Sequence, residues 1–385
     1  MTKTRYESFG GIVSLDCFPM LVFLSREKMR RLGYRGSPLW ERQSFRLSAP
    51  TEIHFALTNR CDRDCAHCYM DSGPNSSPDL TFSEVAAFID SVAAMGVFHL
   101  ALGGGESMLR DDLFAIARYA RSRGIVPNLT TNGSRLDSDR ARACRIFGQV
   151  NVSIDGFSAD PRQPRDHSGL QIALAAVEKL KAARVRTGIN CVVNRHNFFE
   201  LEELFRYARE FRLRDIEFLR LKPAGRGKAV YRDLCCTPEQ HREFFPRLLD
   251  LVRRYRREAK IDCSYVPMAC YHHPDKRLME KFLVRGCDGG NLLAAVDAAG
   301  GVKACSFASG SAGSLRNFPR LWESSPHFQD FFHWPDRAPA PCRDCNYLDI
   351  CRGGCRVVAE FLCGSFSSPD PECPLVRSTF DRSVS

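Results

Sequence analysis

No stretch of the chain approaches the roughly 20 uninterrupted apolar residues that a membrane-spanning helix needs. The opening residues, MTKTRYESFGG, lack the apolar core of a secretion signal. Basic and aromatic residues do not alternate, and no nucleic-acid-binding motif occurs. These absences lead us to expect a cytoplasmic protein with neither membrane nor nucleic acid as partner. The net charge of +10 is moderate. Part of it sits in Arg253-Arg254-Tyr255-Arg256-Arg257, read first as the solvated face of a helix and second as a docking surface for an acidic partner.

Against that background the 18 cysteines stand out. Cytosolic thiols stay reduced, so clustered cysteines point to metal or iron–sulfur ligation rather than disulfides.

Three regions are expected. Residues 1–50 form a short β-hairpin (Gly11–Leu15, Leu21–Leu24) and a helix near Arg26–Leu32. Fifty residues are few for an independent core, so this extension should pack on the domain after it. Across 51–262, apolar β runs at Ile53–Leu57, His99–Leu102, Val126–Thr130, Val150–Ile154, Gly188–Val193 and Ile216–Leu221 alternate with helical patterns. Those patterns are Phe82–Met95, Leu113–Ser122, Leu170–Ala183, Leu201–Phe211 and Gln240–Arg257, with a weaker one near Asp139–Phe147. The alternation calls for a parallel sheet with right-handed crossovers. Six units fall short of a closed eight-stranded barrel, so the fold class is α/β with a partial (β/α)6 barrel. Its chemistry should gather at the C-terminal strand ends. In 263–385 apolar runs shorten, and eight cysteines lie between Cys287 and Cys373. This small cysteine-rich domain is expected to be held together by metal clusters.

Directly after the first barrel strand comes Cys61-x3-Cys65-x2-Cys68. Three thiolates so close can cap three irons of a [4Fe–4S] cube and leave the fourth open. The amino and carboxylate groups of S-adenosylmethionine (SAM) can chelate an open iron, and electron transfer then releases a 5′-deoxyadenosyl radical. The competing reading is a closed zinc site with His67 as fourth ligand. The second strand ends in Gly103-Gly104-Gly105-Glu106, where glycines allow close backbone approach and the carboxylate can accept from an ammonium. Alone such a run is usually a turn; one βα unit after the triad, it argues against zinc.

On these motifs the chain resembles the radical SAM superfamily. The resemblance implies that Cys61, Cys65 and Cys68 ligate the cluster, that Gly104, Gly105 and Glu106 hold the SAM amine, and that His67 flanks the adenine. Superfamily members usually follow the glutamate with proline, where this chain has Ser107. Further SAM contacts are implied at Thr131 and Asn132, at Ser153 and Asp155, and at Asn190. Arg165 is read equally as a carboxylate partner or a surface arginine.

The later cysteines run Cys287-x12-Gly300-x4-Cys305, then Cys342-x2-Cys345-x5-Cys351-x3-Cys355, then Cys373. Seven exceed one metal site and suggest two. The intervals resemble the SPASM domain of peptide-modifying radical SAM enzymes. That resemblance implies auxiliary cluster II on Cys342, Cys345, Cys351 and Cys373, and auxiliary cluster I on Cys287, Cys305 and Cys355, three [4Fe–4S] clusters in all. Cys17, Cys144, Cys191, Cys235, Cys236, Cys263, Cys270 and Cys363 match no motif and read as buried free thiols. Cys263, Cys270 and Cys363 are also candidates for an extra ligand.

Leu100–Glu106, Leu219–Gly227, Cys351–Cys355 and Pro369–Cys373 resemble the mycofactocin precursor-peptide maturases and, less closely, the pyrroloquinoline quinone peptide cross-linking enzymes. That implies a ribosomal precursor peptide as substrate, a small peptide-recognition partner protein, and an electron donor such as flavodoxin or ferredoxin. The expected outcome is oxidative modification of the peptide, such as decarboxylation, cross-linking or excision. Two alternatives stand beside it: a haem-biosynthesis enzyme acting on a porphyrin side chain, and a non-enzymatic iron–sulfur scaffold.

Overall fold

In the computed structural model, residues 3–15, 20–42, 46–74, 78–158, 160, 162–165 and 167–383 are described. The N-terminal extension is a three-stranded antiparallel sheet, β1 (Lys3–Glu7), β2 (Gly10–Leu15) and β3 (Met20–Ser25), followed by helix α1 (Arg26–Arg31). The expected hairpin is β2–β3; β1 is an addition to it. KTRYE carries no apolar alternation because its buried side chains are charged. Arg5 donates to the carbonyls of Ala49 (2.7 Å) and Pro50 (2.8 Å) and to Glu7, whose other oxygen takes the Ser48 N–H. Polar stitching thus seats this sheet on the barrel.

All six expected barrel strands form, and they lie side by side in chain order. They are β4 (Glu52–Thr58), β5 (His99–Gly104), β6 (Val126–Thr131), β7 (Val150–Ser153), β8 (Thr187–Val193) and β9 (Asp215–Arg220), parallel throughout. The crossovers carry α2 (Phe82–Ala94), α3 (Leu113–Ser122), α4 (Ser138–Ala143), α5 (His167–Ala182) and α6 (Leu201–Glu210). After β9 come α7 (Gly227–Leu234) and α8 (Pro238–Tyr255). Thr81 and Thr237 start α2 and α8 with capping boxes to Glu84 and Gln240, satisfying orphan N–H groups at both ends of the motif.

The sheet is larger than six strands. A seventh parallel strand, β10 (Glu258–Ile261), pairs with β9, and β11 (Leu293–Val296), from beyond the expected boundary at 262/263, lies parallel to β4. Antiparallel β12 (Gly301–Lys303) and β13 (Gly313–Ser314) extend that edge, giving the order β10-β9-β8-β7-β6-β5-β4-β11-β12-β13. EAKI and LAAV are too short for periodicity to reveal.

The remaining helices are α9 (Val266–Cys270), α10 (Lys276–Lys281), α11 (Phe318–Ser324), α12 (Pro326–Phe332), α13 (Leu348–Cys351), α14 (Arg356–Cys363) and α15 (Pro374–Ser383). The C-terminal region is not held by cysteines alone. Phe318, Trp322, Phe328 and Phe331 of α11 and α12 join the barrel's apolar core, Phe318 edge-on to Phe88 of α2 at 5.5 Å. Each such fully buried side chain contributes about 1.5–3 kcal/mol.

Candidate functional site

The triad loop leaves β4 and is pinned at several points. The Cys61 N–H donates to Gly73 O (2.9 Å) and Cys68 N–H to Cys65 O (3.1 Å), while Ser72 N–H points at Cys68 Sγ (3.4 Å). From beyond β9, Arg226 donates to the carbonyls of Cys65 and Ser72. The three cysteines remain half-buried, so their sulfurs face an accessible space. Burial, then the charges of Glu106 and Asp62, push the Cys61 thiol up to about 11. Among the described residues, no three His, Cys, Asp or Glu side chains converge closely enough to hold a single metal ion. His67, the fourth ligand of the competing zinc reading, turns its Nε2 to Asp155 Oδ2, 3.4 Å away.

The Gly-Gly-Glu loop is pressed against the start of the triad loop. A Cβ on Gly104 would lie 2.3 Å from Thr58 O, and one on Gly105 2.1 Å from Arg60 O. Only glycine fits this approach, and Gly104 also has φ +135°. Ser107, in place of the usual proline, ties the turn by donating to Gly103 O (2.7 Å). Glu106 lies differently from the expectation of a carboxylate open to an ammonium. It is fully buried, accepting from Met108 N (3.1 Å) and Thr131 Oγ1 (2.9 Å) on one oxygen and Asn132 N (2.7 Å) on the other. Burial raises its carboxyl group's proton affinity against those three donors. Its carboxylate locks the end of β5 to the end of β6.

Asn132, past β6, reaches back to Asp62 Oδ1 (3.1 Å) and lies 3.9 Å from Cys61 Sγ. Asp155, past β7, accepts from Val192 N (2.9 Å) and from Arg165 Nε (3.1 Å). Burial would raise the Asp155 carboxyl; the charges of Arg165 and His67 outweigh it and hold it below the usual range. Arg165 is thus held against Asp155 rather than free at the surface. Ser153, Asp155, Gln163 and Arg165 line a pocket at these strand ends.

Sequence reading missed the polar face of the sheet. Strands packed by helices on both sides run apolar throughout, yet here polar residues recur at every second position. They are Glu52 and His54 on β4, Asn128 and Thr130 on β6, Asn151 and Ser153 on β7, Asn190 on β8 and Glu217 on β9. That alternation was the available signal. Asn151 donates to Asn190 Oδ1 (2.7 Å) and Glu217 Oε2 (3.4 Å), and Asn190 to Thr130 Oγ1 (3.3 Å). Asn190, expected at SAM, is thus part of this network. His54 bridges Glu52 (3.1 Å) and Ser306 (3.2 Å), the neighbour of Cys305. Burial would raise Glu52, but the bond and charge of His54 hold it at about 2, whereas burial pushes Glu217 up.

The motif cysteines of the C-terminal region gather in two places. Burial, then the neighbouring Cys287 and Cys355, push the Cys305 thiol up to about 12. Cys342, Cys345, Cys351 and Cys373 line a pocket with Cys270, walled by Pro267, Pro341, Leu348, Leu375 and Val376. The sulfurs of Cys61, Cys287, Cys305, Cys345, Cys351, Cys355 and Cys373 each receive backbone N–H groups from two or three residues further along. Such turns direct N–H dipoles at thiolates and suit iron–sulfur ligation. Of the unmatched cysteines, Cys144, Cys191, Cys236 and Cys270 are buried as expected, whereas Cys235 and Cys263 are half-buried and Cys363 is exposed. Cys17 lies outside the described residues. Cys263 takes the Asp288 N–H beside Cys287, and Cys351's thiol is pushed up first by its hydrogen bond with Cys270, then by burial.

Comparison with known proteins agrees with this geometry. The sequence profile of the radical SAM superfamily matches residues 55–208. A mycofactocin maturase of Mycolicibacterium smegmatis is 30% identical over 341 residues, spanning 85% of this chain and 83% of its own. An AdoMet-dependent heme synthase of Methanosarcina barkeri is 29% identical over 347 residues, 85% of this chain and 97% of its own. Streptococcus suis SuiB, solved bound to precursor peptide SuiA, shares the fold with a TM-score of 0.76 over 97% of this chain and 98% of its own, at 13% identity. The chain belongs to the radical SAM superfamily.

Proposed function

We propose that this enzyme modifies a ribosomally made precursor peptide by radical chemistry. Superfamily membership implies one [4Fe–4S] cluster and SAM. The observation that carries the proposal is the convergence of the triad loop, the Gly-Gly-Glu loop and Asp155–Arg165 at the C-terminal strand ends. Beside them lies a polar sheet face that meets the cysteine-rich region at His54–Ser306.

Cys61, Cys65 and Cys68 would hold the SAM-binding cluster, and Cys287, Cys305 and Cys355 with Cys342, Cys345, Cys351 and Cys373 two auxiliary clusters. When bound, the first cluster supplies the electron that cleaves SAM to a 5′-deoxyadenosyl radical able to take hydrogen from a substrate. Gly104 and Gly105 would let the backbone approach the SAM amine, Glu106 and Thr131 fix those loops, and Asn132 orients Asp62 beside Cys61. Ser153, Asp155, Arg165 and the His67 backbone line the nucleoside side. Asn151, Asn190, Glu217 and His54 present hydrogen-bonding groups to the peptide residue. A small recognition protein would deliver the peptide and a flavodoxin or ferredoxin the electron, in the cytoplasm.

Similarity to the maturase across 85% of the chain favours a peptide. Similarity to the heme synthase across 97% of that protein's length supports a second reading, a porphyrin side chain. Anaerobic incubation with SAM, dithionite and either a peptide encoded beside the gene or an iron porphyrin separates them. A mass change in the peptide with 5′-deoxyadenosine release is the expected result. Change in the porphyrin alone would overturn the proposal.

A further inference from the structure

Cys270, the last residue of α9, belongs to none of the spacing motifs. It is 2% exposed and sits in the cavity that Cys342, Cys345, Cys351 and Cys373 line. It also packs with Cys351 in one apolar cluster, among Val266, Tyr347 and Ile350. A cube presents four irons to thiolates, so a pocket with five sulfurs has one to spare. The four motif cysteines come from the loop around α13 and from the start of α15, three of them with backbone N–H groups aimed at sulfur. Cys270 comes from a separate element and lines the same pocket as Cys351.

The walls around these sulfurs are proline, leucine and valine. In so dry a setting a hydrogen bond to a ligating sulfur is strong, and such bonds are among the levers that set a cluster's reduction potential. We propose that Cys270 is a non-ligating thiol of the auxiliary cluster II site, donating an S–H···S hydrogen bond to Cys351 and raising that cluster's reduction potential. This rests on the reading that the four motif cysteines hold a cluster there. A donor to Cys351 spreads negative charge away from the reduced cube, so cluster II accepts an electron more readily than it would without Cys270.

The test compares reconstituted full-length wild type with Cys270→Ala, Cys270→Ser and Cys351→Ser, by iron content and by reductive titration followed by electron paramagnetic resonance. The Cys351→Ser variant identifies the cluster II resonance by its loss or change. Cys270→Ala is expected to keep the wild-type iron content while the cluster II midpoint moves to more negative potential and the other midpoints stay. Cys270→Ser, which keeps a hydroxyl donor, is expected to recover most of that shift. Loss of about four irons in Cys270→Ala would make Cys270 a ligand and overturn the proposal. Unchanged midpoints would overturn it too. A wild type that holds only the SAM-binding cluster would overturn the auxiliary-cluster reading itself, and the role of Cys270 with it.

Discussion

The guanidinium of Arg220, at the end of β9, forks onto both carboxylate oxygens of Asp370 at 2.6 and 3.0 Å, with the two side chains 2% and 0% exposed. The same guanidinium holds Glu372 at 2.6 Å, and Tyr231 donates to that oxygen at 3.1 Å. Asp370 in turn accepts the backbone N–H of Cys355 (2.8 Å) and Glu372 (3.1 Å). One barrel arginine therefore organises the segments that carry Cys355 and Cys373. Burial alone would weaken its hold on a proton, but the two carboxylates reverse that and bind it more firmly.

Removing that cation takes from buried Asp370 its ion-pair partner and leaves Glu372 with His241 and Tyr231 alone, which costs about 3–5 kcal/mol. Arg220→Met is expected to lower the melting temperature and the iron bound by the C-terminal cysteines. Arg220→Lys, with charge but no fork, should fall between the two. Unchanged melting and iron content in Arg220→Met would show that the latch organises nothing.

Glu106→Gln tests whether the Gly-Gly-Glu carboxylate is structural. All three donors now find an acceptor; an amide must turn its NH2 toward one of them, leaving a buried donor unmade at about 1–3 kcal/mol. Both thermal stability and SAM affinity should drop, since the loops at β5 and β6 shift together. A loss of SAM binding with melting unchanged would instead put the carboxylate directly on the ligand.

Distance along the chain decides which features its sequence discloses. Cys61, Cys65 and Cys68 lie within one loop, and the apolar runs of β4 to β9 each fit a short window, so spacing and periodicity reveal them. Arg220 and Asp370 are 150 residues apart, and neither stands in a pattern that names the other. Lys3–Glu7 hides as a strand because its buried groups are an ion pair. That Cys270 shares a pocket with Cys351 depends on where α9 lands, a tertiary fact. The polar face through Asn151, Asn190 and Glu217 is the exception: its period of two was legible, masked by apolar neighbours that alone suffice to mark strands.

Replacing Cys61, Cys65 and Cys68 together by Ala is expected to abolish 5′-deoxyadenosine formation while leaving the C-terminal sites loaded. Counting four irons per cube, about eight of roughly twelve should remain. SAM cleavage by the triple variant would refute the triad's role. Iron falling to near zero would mean that the C-terminal cysteines hold no cubes.

The proposed auxiliary cluster I would have three motif thiolates for four irons, and Cys263, Cys270 and Cys363 each compete for the last corner. Placement separates them. Cys363 is exposed at the end of α14, and Cys270 lines the other site. Cys263 takes a backbone N–H from Asp288, the residue after Cys287, the same kind of N–H-to-sulfur contact that Cys287 and Cys305 receive. Cys263→Ala is therefore expected to destroy cluster I or strip it toward a three-iron form, read as a loss of up to about four irons per chain. Cys363→Ala should leave iron content and resonances unchanged. If cluster I survives Cys263→Ala intact and its resonance shifts when peptide is added, the fourth iron is open. It would then face the substrate, and Cys263 would be a bystander beside a site that accepts the substrate's own donor.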